Sequence, residues 1–267
     1  MEFLDLTPAE SLMIISPASN GIEMMKITLA DLLLKKALKI NMGHHNPRFL
    51  KKNCKSVIII KNKSNNLIFK PHEEILIELL DNGELELKEF AKILFKKVKS
   101  SEYKNSVRIP LIDRNYFKRQ RKMLLALVPY ETYILTEEGL KVKSMITELL
   151  DEAECLKKWI KEDLGHAKAY LSVVGSHIFL TGVYDVKDIQ KFKKILSYIK
   201  PEAKTSDYYN YYLYTIPDGF LDNQGDLRNF DFIDISFFDN FESLDDFFCE
   251  FKDELNDIEG NSNGDGE

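Results

Sequence analysis

A run of cations between residues 114 and 122 is the group in this chain best suited to binding chemistry. If the run is helical, cations at positions i, i+4, i+7 and i+8 share one face. Arginine offers two parallel hydrogen bonds to a phosphate or carboxylate, so such a face suits an anion. A nucleic acid, an acidic lipid or protein segment, and plain solvent all fit it. The predicted anion-binding residues are Arg114, Lys118, Arg119, Arg121 and Lys122.

A second group of cations lies before and within a predicted β-hairpin. A basic hairpin can follow a phosphate backbone. Lysines on an exposed strand also discourage edge-to-edge aggregation, so the same residues fit an ordinary solvated surface equally well. This secondary basic patch consists of Arg48, Lys51, Lys52, Lys55, Lys61 and Lys63.

The charge of the chain is unevenly distributed. Residues 1–200 hold 34 Lys and Arg against 25 Asp and Glu, whereas residues 201–267 hold 3 against 18. The overall net charge of −6 therefore hides a basic body followed by an acidic tail. This asymmetry predicts a body that binds an anionic partner, and a tail that either competes for that surface or recruits another protein.

The acidic tail also carries phenylalanines at helical spacing. They predict an amphipathic helix over residues 235–256 that docks on the body and brings its acids near basic residues. Such a helix would lower the affinity of the body for anions. The same alternation of aromatic and acidic residues also suits a segment that recruits another protein. The predicted docking residues are Phe237, Phe241, Phe248 and Phe251.

The sequence contains no recognisable catalytic, metal or cofactor motif. It lacks a phosphate-binding loop, a dinucleotide fingerprint, a nucleophile elbow and a zinc-binding helix motif. The three cysteines lie far apart and predict reduced thiols in a cytoplasmic protein. No apolar run approaches the roughly 20 residues that span a bilayer. We expect a protein that is not an enzyme, with no metal or cofactor, and with His72 at the surface.

Helix-capping patterns organise the first module. Thr7-Pro8-Ala9-Glu10 has the spacing of a capping box with proline at the first helical position. Thr28 to Asp31 repeats the pattern and predicts the start of a second helix. Val57 to Ile60 and Leu67 to Phe69 flank a polar stretch and predict a β-hairpin.

The second module is predicted to alternate helices and strands. A helix begins at Pro71 and ends near Gly83, and a long helix follows the capping residue Thr136. Apolar spacing gives the elements between them. These are a helix over Leu87–Val98, a strand over Ser106–Leu111, a third helix over Arg114–Leu127 and a strand over Tyr130–Leu135.

This order of elements resembles the winged-helix superfamily. The segment Tyr133-Ile134-Leu135-Thr136-Glu137-Glu138-Gly139 looks like the final strand and following helix start of many winged-helix regulators, and residues 7–69 resemble a degenerate second copy. The resemblance implies that the third helix is the one that enters the DNA major groove.

A fainter resemblance, over residues 6–150, is to the Golgi phosphoprotein family. It rests on Leu6 to Glu10, Leu32 to Ile40 and the predicted hairpin with its following helix. Members of that family are mostly helical, and the animal and fungal ones bind phosphoinositide headgroups. The chain has Lys36-Ala37-Leu38-Lys39-Ile40 where the family has an Arg-Gly-Arg-Ile-like sequence, so no headgroup ligand is carried over.

Together these patterns predict a mainly α (α+β) fold. The expected regions are a winged-helix-like module over 1–69, a winged-helix module over 70–164, a mixed region over 165–220 and the acidic tail over 221–267. The function predicted is a cytoplasmic adaptor whose basic surface binds an acidic protein segment or lipid headgroup. The alternative is a winged-helix DNA-binding regulator with an autoinhibitory tail. A headgroup binder is expected to show a shallow basic pocket beside an exposed aromatic or apolar tip.

Overall fold

The computed structural model describes residues 5–35, 37–45, 54–61, 68–80, 83–124 and 128–182. These residues are predominantly helical and carry two small antiparallel sheets, which confirms the mainly α (α+β) class. The predictions for the acidic tail, including Phe237, Phe241, Phe248 and Phe251, lie outside the described residues. Within these ranges, every helix is too short or too polar to cross a lipid bilayer.

Eight α-helices and five strands, numbered along the chain, form the described part. The helices are α1 (Pro8–Ile15), α2 (Gly21–Leu34), α3 (Pro71–Glu78), α4 (Leu87–Lys97), α5 (Ser100–Asp113), α6 (Glu137–Asp151), α7 (Leu156–Glu162) and α8 (Leu164–Val174). The strands are β1 (Leu38–His45), β2 (Cys54–Lys61), β3 (Glu84–Glu86), β4 (Phe117–Leu124) and β5 (Val128–Leu135). Two 3₁₀ helices, Glu152–Cys155 and Gly175–Leu180, complete the list.

The capping box at the start of α1 is confirmed. The Thr7 hydroxyl accepts from the Glu10 backbone N–H, and the Glu10 carboxylate accepts from the Thr7 N–H at 2.7 Å. The predicted start of the second helix at Thr28 is wrong, because α2 begins earlier and is capped by Asn20. Asn20 and Glu23 form the same pair of reciprocal side chain–backbone hydrogen bonds. Thr28 lies inside α2 and donates its hydroxyl to the Met24 carbonyl.

The predicted hairpin between Val57–Ile60 and Leu67–Phe69 is wrong. Strand β2 pairs instead with β1 on one side and with β3 on the other, in an antiparallel sheet of order β1-β2-β3. Strand β1 begins at Leu38, only a few residues after α2 ends, so the helix predicted after Thr28 stops before Leu38. Strand β3 lies farther along the chain and completes the sheet. Pairing between strands that are distant in the sequence produces no local sequence pattern from which it could be predicted.

Helix α5 covers the region predicted as a strand over Ser106–Leu111. The helix is amphipathic, since Tyr103, Val107 and Leu111 recur every four residues and are fully buried. Pro110 lies inside the helix. The strand was predicted because proline and the β-branched valine and isoleucine near it are uncommon in helices. The four-residue spacing was the stronger signal.

The predicted third helix over Arg114–Leu127 is also wrong, because the chain leaves α5 in a Schellman motif. Asn115 adopts a left-handed conformation with φ 60°, its N–H donates to the Ile112 carbonyl, and the Tyr116 N–H donates to the Leu111 carbonyl. The backbone is thereby turned out of the helix, and residues from Phe117 onward form β4.

Strand β5 and the capping role of Thr136 are confirmed. The long helix predicted after Thr136 is broken into α6, the 3₁₀ helix Glu152–Cys155 and α7. All of these elements share one cluster of buried side chains, which runs from Leu6 to Ile178 and in which α2 packs on α5.

Candidate functional site

Strands β4 and β5 form a two-stranded antiparallel ribbon, which we call the basic ribbon. Its register runs from Phe117 opposite Leu135 to Leu124 opposite Val128. Side chains alternate across a strand, so Arg119 and Arg121 lie on one face and Lys118 and Lys122 on the other. The ribbon therefore presents two cations from β4 on each face.

The ribbon is anchored at its base and exposed beyond it. Phe117 is buried against the core, whereas every residue from Lys118 to Met123 is exposed. The Arg108 side chain of α5 lies 4.3 Å from the centroid of the Tyr133 ring, a cation–π contact that holds the base. Thr136 closes the base by donating its hydroxyl to the Asn115 carbonyl at 2.6 Å.

One ion pair lies on the ribbon itself, between Arg119 and Glu131. Hydrogen bonding to that carboxylate raises the pKa of Arg119, which keeps it charged. Within the described part of the chain, Lys118, Arg121 and Lys122 have no carboxylate within 4.0 Å. Three cations of the ribbon thus contact no acidic side chain among the described residues.

The distal end of the ribbon is apolar. Met123 is 56% exposed and Tyr130 is 44% exposed. The connecting residues 125–127, whose types are Leu, Ala and Leu, lie outside the described residues. Positively charged strands therefore lead to a tip of apolar composition.

The predicted anion-binding residues are brought together, but not on a helix face. Four of them lie on the ribbon, and Arg114 is the residue that ends α5. Two residues of the secondary basic patch, Lys55 and Lys61, lie in β2. Its remaining members, Arg48, Lys51, Lys52 and Lys63, lie outside the described residues.

A second polar group lies where α1, α2 and the start of α3 meet; its acids, Thr7 and His72 are buried, and its two lysines reach the surface. We call it the buried polar cluster: Thr7, Glu10, Asp31, Lys35, Lys70, His72 and Glu73. Glu10 is fully buried and its carboxylate contacts Lys70 Nζ at 2.5 Å. The Thr7 hydroxyl lies 3.0 Å from His72 Nε2. His72 is fully buried, so the expectation that it lies at the surface is wrong.

Lys35 joins two buried carboxylates in this cluster. Its Nζ lies 2.7 Å from Asp31 Oδ2 and 2.7 Å from Glu73 Oε1. Burial alone would lower the pKa of Lys35, but the two carboxylates outweigh it and the pKa is raised. Burial also opposes ionisation of Glu73, but the contact with Lys35 outweighs it and the pKa of Glu73 is lowered. For Asp31 the effect of burial is larger than that of Lys35, so the pKa of Asp31 is raised. The lysine stays charged and holds α2 against α3.

The 3₁₀ helix Gly175–Leu180 adds two polar residues to the edge of the cluster. Ser176 donates its hydroxyl to Asp31 Oδ1 at 2.6 Å. His177 Nδ1 lies 3.2 Å from the Val174 carbonyl, which can only accept, so Nδ1 carries the hydrogen. His177 Nε2 then accepts from the Ser11 hydroxyl at 3.0 Å. Burial lowers the pKa of both His177 and His72 to about 4, so both rings are neutral near pH 7.

Few features of the sequence indicate this cluster. Thr7 and Glu10 were predicted only as a helix cap, and Asp31 only as part of a second cap. Spacing offers one hint, since Asp31 and Lys35 are four residues apart in a helix, which allows an ion pair. In the described ranges no group of three or more histidine, cysteine or acidic residues is arranged to hold a metal ion.

No protein-family model matches the chain, and no curated protein matches its sequence. The winged-helix and Golgi phosphoprotein resemblances therefore stay predictions, and the geometry of the ribbon and of the cluster carries the functional argument.

Proposed function

We propose that this protein is a non-catalytic adaptor that binds acidic membrane surfaces through the basic ribbon. The observation that carries the proposal is that Lys118, Arg121 and Lys122 project from both faces of an exposed ribbon without carboxylate partners among the described residues. A cation near an anionic bilayer contributes about 1 kcal/mol, so three of them supply about 3 kcal/mol.

The apolar tip favours a lipid surface over other anions. Met123 and Tyr130 are exposed beside the cations, and residues 125–127 add Leu, Ala and Leu. Burying one large apolar side chain contributes roughly 1.5–3 kcal/mol, which a bilayer offers and a phosphate backbone does not. Tyrosine is also suited to the headgroup region, where its ring is buried and its hydroxyl stays hydrated. Cations bind the headgroups while the tip enters the interface.

Nucleic acid is the second candidate. Cations on both faces of a two-stranded ribbon also suit a DNA groove, because some DNA-binding proteins insert such a ribbon. This alternative needs the charge of the ribbon but not its apolar tip, and that difference separates the two functions experimentally.

The test is co-sedimentation of the full chain with vesicles of phosphatidylcholine, with and without phosphatidylserine. We expect binding only to the acidic vesicles and weakening with added salt. The variant Arg121→Glu/Lys122→Glu should lose at least about tenfold in affinity. Its matched control is Lys96→Glu/Lys97→Glu, which makes the same charge change at the exposed end of α4 and should retain most of the affinity.

A tip variant distinguishes lipid from nucleic acid. Leu125→Ser/Leu127→Ser keeps every charge, so it should weaken binding to acidic vesicles and leave elution from heparin unchanged. If the tip variant binds vesicles as well as the natural protein and the charge variant loses binding to both vesicles and duplex DNA, the nucleic-acid function is the correct one. Retained vesicle binding in the charge variant would refute the lipid function, and retained binding to duplex DNA would refute the nucleic-acid function.

A further inference from the structure

Two polar bonds join the 3₁₀ helix Gly175–Leu180 to the N-terminal helices. Ser176 bonds to Asp31 of α2 and His177 to Ser11 of α1, across 145 and 166 residues of sequence. Its one buried apolar side chain is Ile178, with Phe179 partly packed on the core. By comparison, α5 buries Tyr103, Val107 and Leu111 completely.

We infer that this segment is a latch, which opens as a unit while the helices beneath it stay folded. Local opening needs little free energy where few apolar contacts are lost and where the polar groups can bond to water instead. Both conditions hold for the latch. Asp31 keeps Lys35 as its ion-pair partner when Ser176 leaves, and the Ser11 hydroxyl can bond to water.

The backbone at the start of the latch is suited to a hinge. Gly175 ends α8 with φ 49°, a left-handed conformation that glycine adopts without strain. Thr181 and Gly182 follow the latch, and Gly182 has φ 63°. A helix, a glycine, a segment of six residues and a second glycine therefore follow one another at this point of the chain.

The position of the latch gives its opening a consequence. It is the last described element before residues 183–267, which include the acidic tail. Its bonds to α1 and α2 therefore fix the position of the chain just before that region. Opening would free that attachment point and uncover Asp31 and Ser11, without unfolding the buried core around α5.

Hydrogen exchange of the full chain, read by mass spectrometry on peptides, tests the inference. In the natural protein we expect residues 176–181 to exchange faster than α2 and α5. Ser176→Ala removes a hydrogen bond to a buried carboxylate and should speed exchange of residues 176–181 by about tenfold, with α2 and α5 unchanged. The matched control is Ser144→Ala, which removes a hydroxyl bonded to the exposed Glu148 and should leave the latch unchanged.

A second variant tests the latch from the opposite side. Ser11→Ala lies in α1, far from the latch in sequence, and removes the partner of His177. It should also speed exchange of residues 176–181 while α1 keeps its protection. Equal acceleration in α1, α2 and α5 would show that the segment opens only with global unfolding. No acceleration in either variant would show that these bonds do not hold it. Both results overturn the inference.

Discussion

The basic ribbon and the buried polar cluster use the same residue types in opposite environments. On the ribbon, the cations are exposed to solvent, and Arg119 forms an ion pair with the exposed Glu131. In the cluster, Lys35 bridges two carboxylates that are each 2% exposed, and Lys70 contacts a carboxylate that is fully buried. Exposed pairs contribute little to stability, whereas removing one partner of a buried pair is costly. The carboxylates, more than the cations, differ between the regions: Lys35 is itself 39% exposed, but the acids that it contacts are buried, whereas Glu131 is 43% exposed.

The largest expected difference between the two regions appears in acid. His72 and His177 have pKa values of about 4 in the folded state, below the ordinary 6.5. Between these values the unfolded chain binds protons that the folded chain does not, so stability is complete above pH 6.5 and falls toward pH 4. The loss reaches about 3 kcal/mol for each histidine, since one pKa unit is worth about 1.4 kcal/mol.

Urea unfolding at a series of pH values checks this expectation. The free energy of unfolding should fall steeply below pH 6.5, and a His177→Gln variant should show a shallower fall. Asp31, whose pKa is raised, acts in the opposite direction. A flat stability profile between pH 6.5 and 4.5 would contradict neutral buried histidines.

Removing Lys35 should cause the next largest effect. Lys35→Met keeps most of the side-chain volume but leaves Asp31 and Glu73 without their cation, at a cost of about 3 kcal/mol. The matched change on the ribbon, Arg119→Met, should leave the urea midpoint unchanged because the Arg119–Glu131 pair is exposed. Equal midpoints for the two variants would break the distinction between the regions.

Interactions between residues close together in the sequence were predicted, and those between distant residues were not. The capping box at Thr7 and the cap at Thr136 are local and were found. The ribbon was assigned to a helix because its cations share one helical face and Tyr116, Met123, Leu124 and Leu127 the other, while the left-handed Asn115 that ends α5 was not recognised. The cluster joins Glu10 to Lys70 and Ser11 to His177, contacts that only the folded chain brings together. Its residues therefore carried no pattern beyond their caps.

A smaller effect is expected where the ribbon joins the core. A Cβ on Gly139 would lie 2.2 Å from the Tyr116 carbonyl oxygen, a backbone atom that cannot move aside easily. Gly139→Ala should therefore cost about 1–3 kcal/mol. Ser144→Ala in the same helix is the control and should change the urea midpoint little. An unchanged midpoint in Gly139→Ala would show that the ribbon base is loosely packed.

The smallest expected effect concerns the acidic tail. If the tail competes for the ribbon, deleting residues 221–267 should raise the salt concentration at which the protein elutes from heparin. The shift should be modest, because each exposed ion pair contributes about 0–1 kcal/mol. Identical elution of the full and shortened chains would remove autoinhibition from the account and leave the ribbon as the binding surface.

The central claim is that cations on the ribbon bind a partner without supporting the fold. The most direct measurement takes one variant, Arg121→Glu/Lys122→Glu, and determines both its urea midpoint and its affinity for phosphatidylserine vesicles. The account predicts an unchanged midpoint together with an affinity lower by at least about tenfold. A variant that unfolds at lower urea concentration, or that binds the vesicles as well as the natural protein, would contradict it.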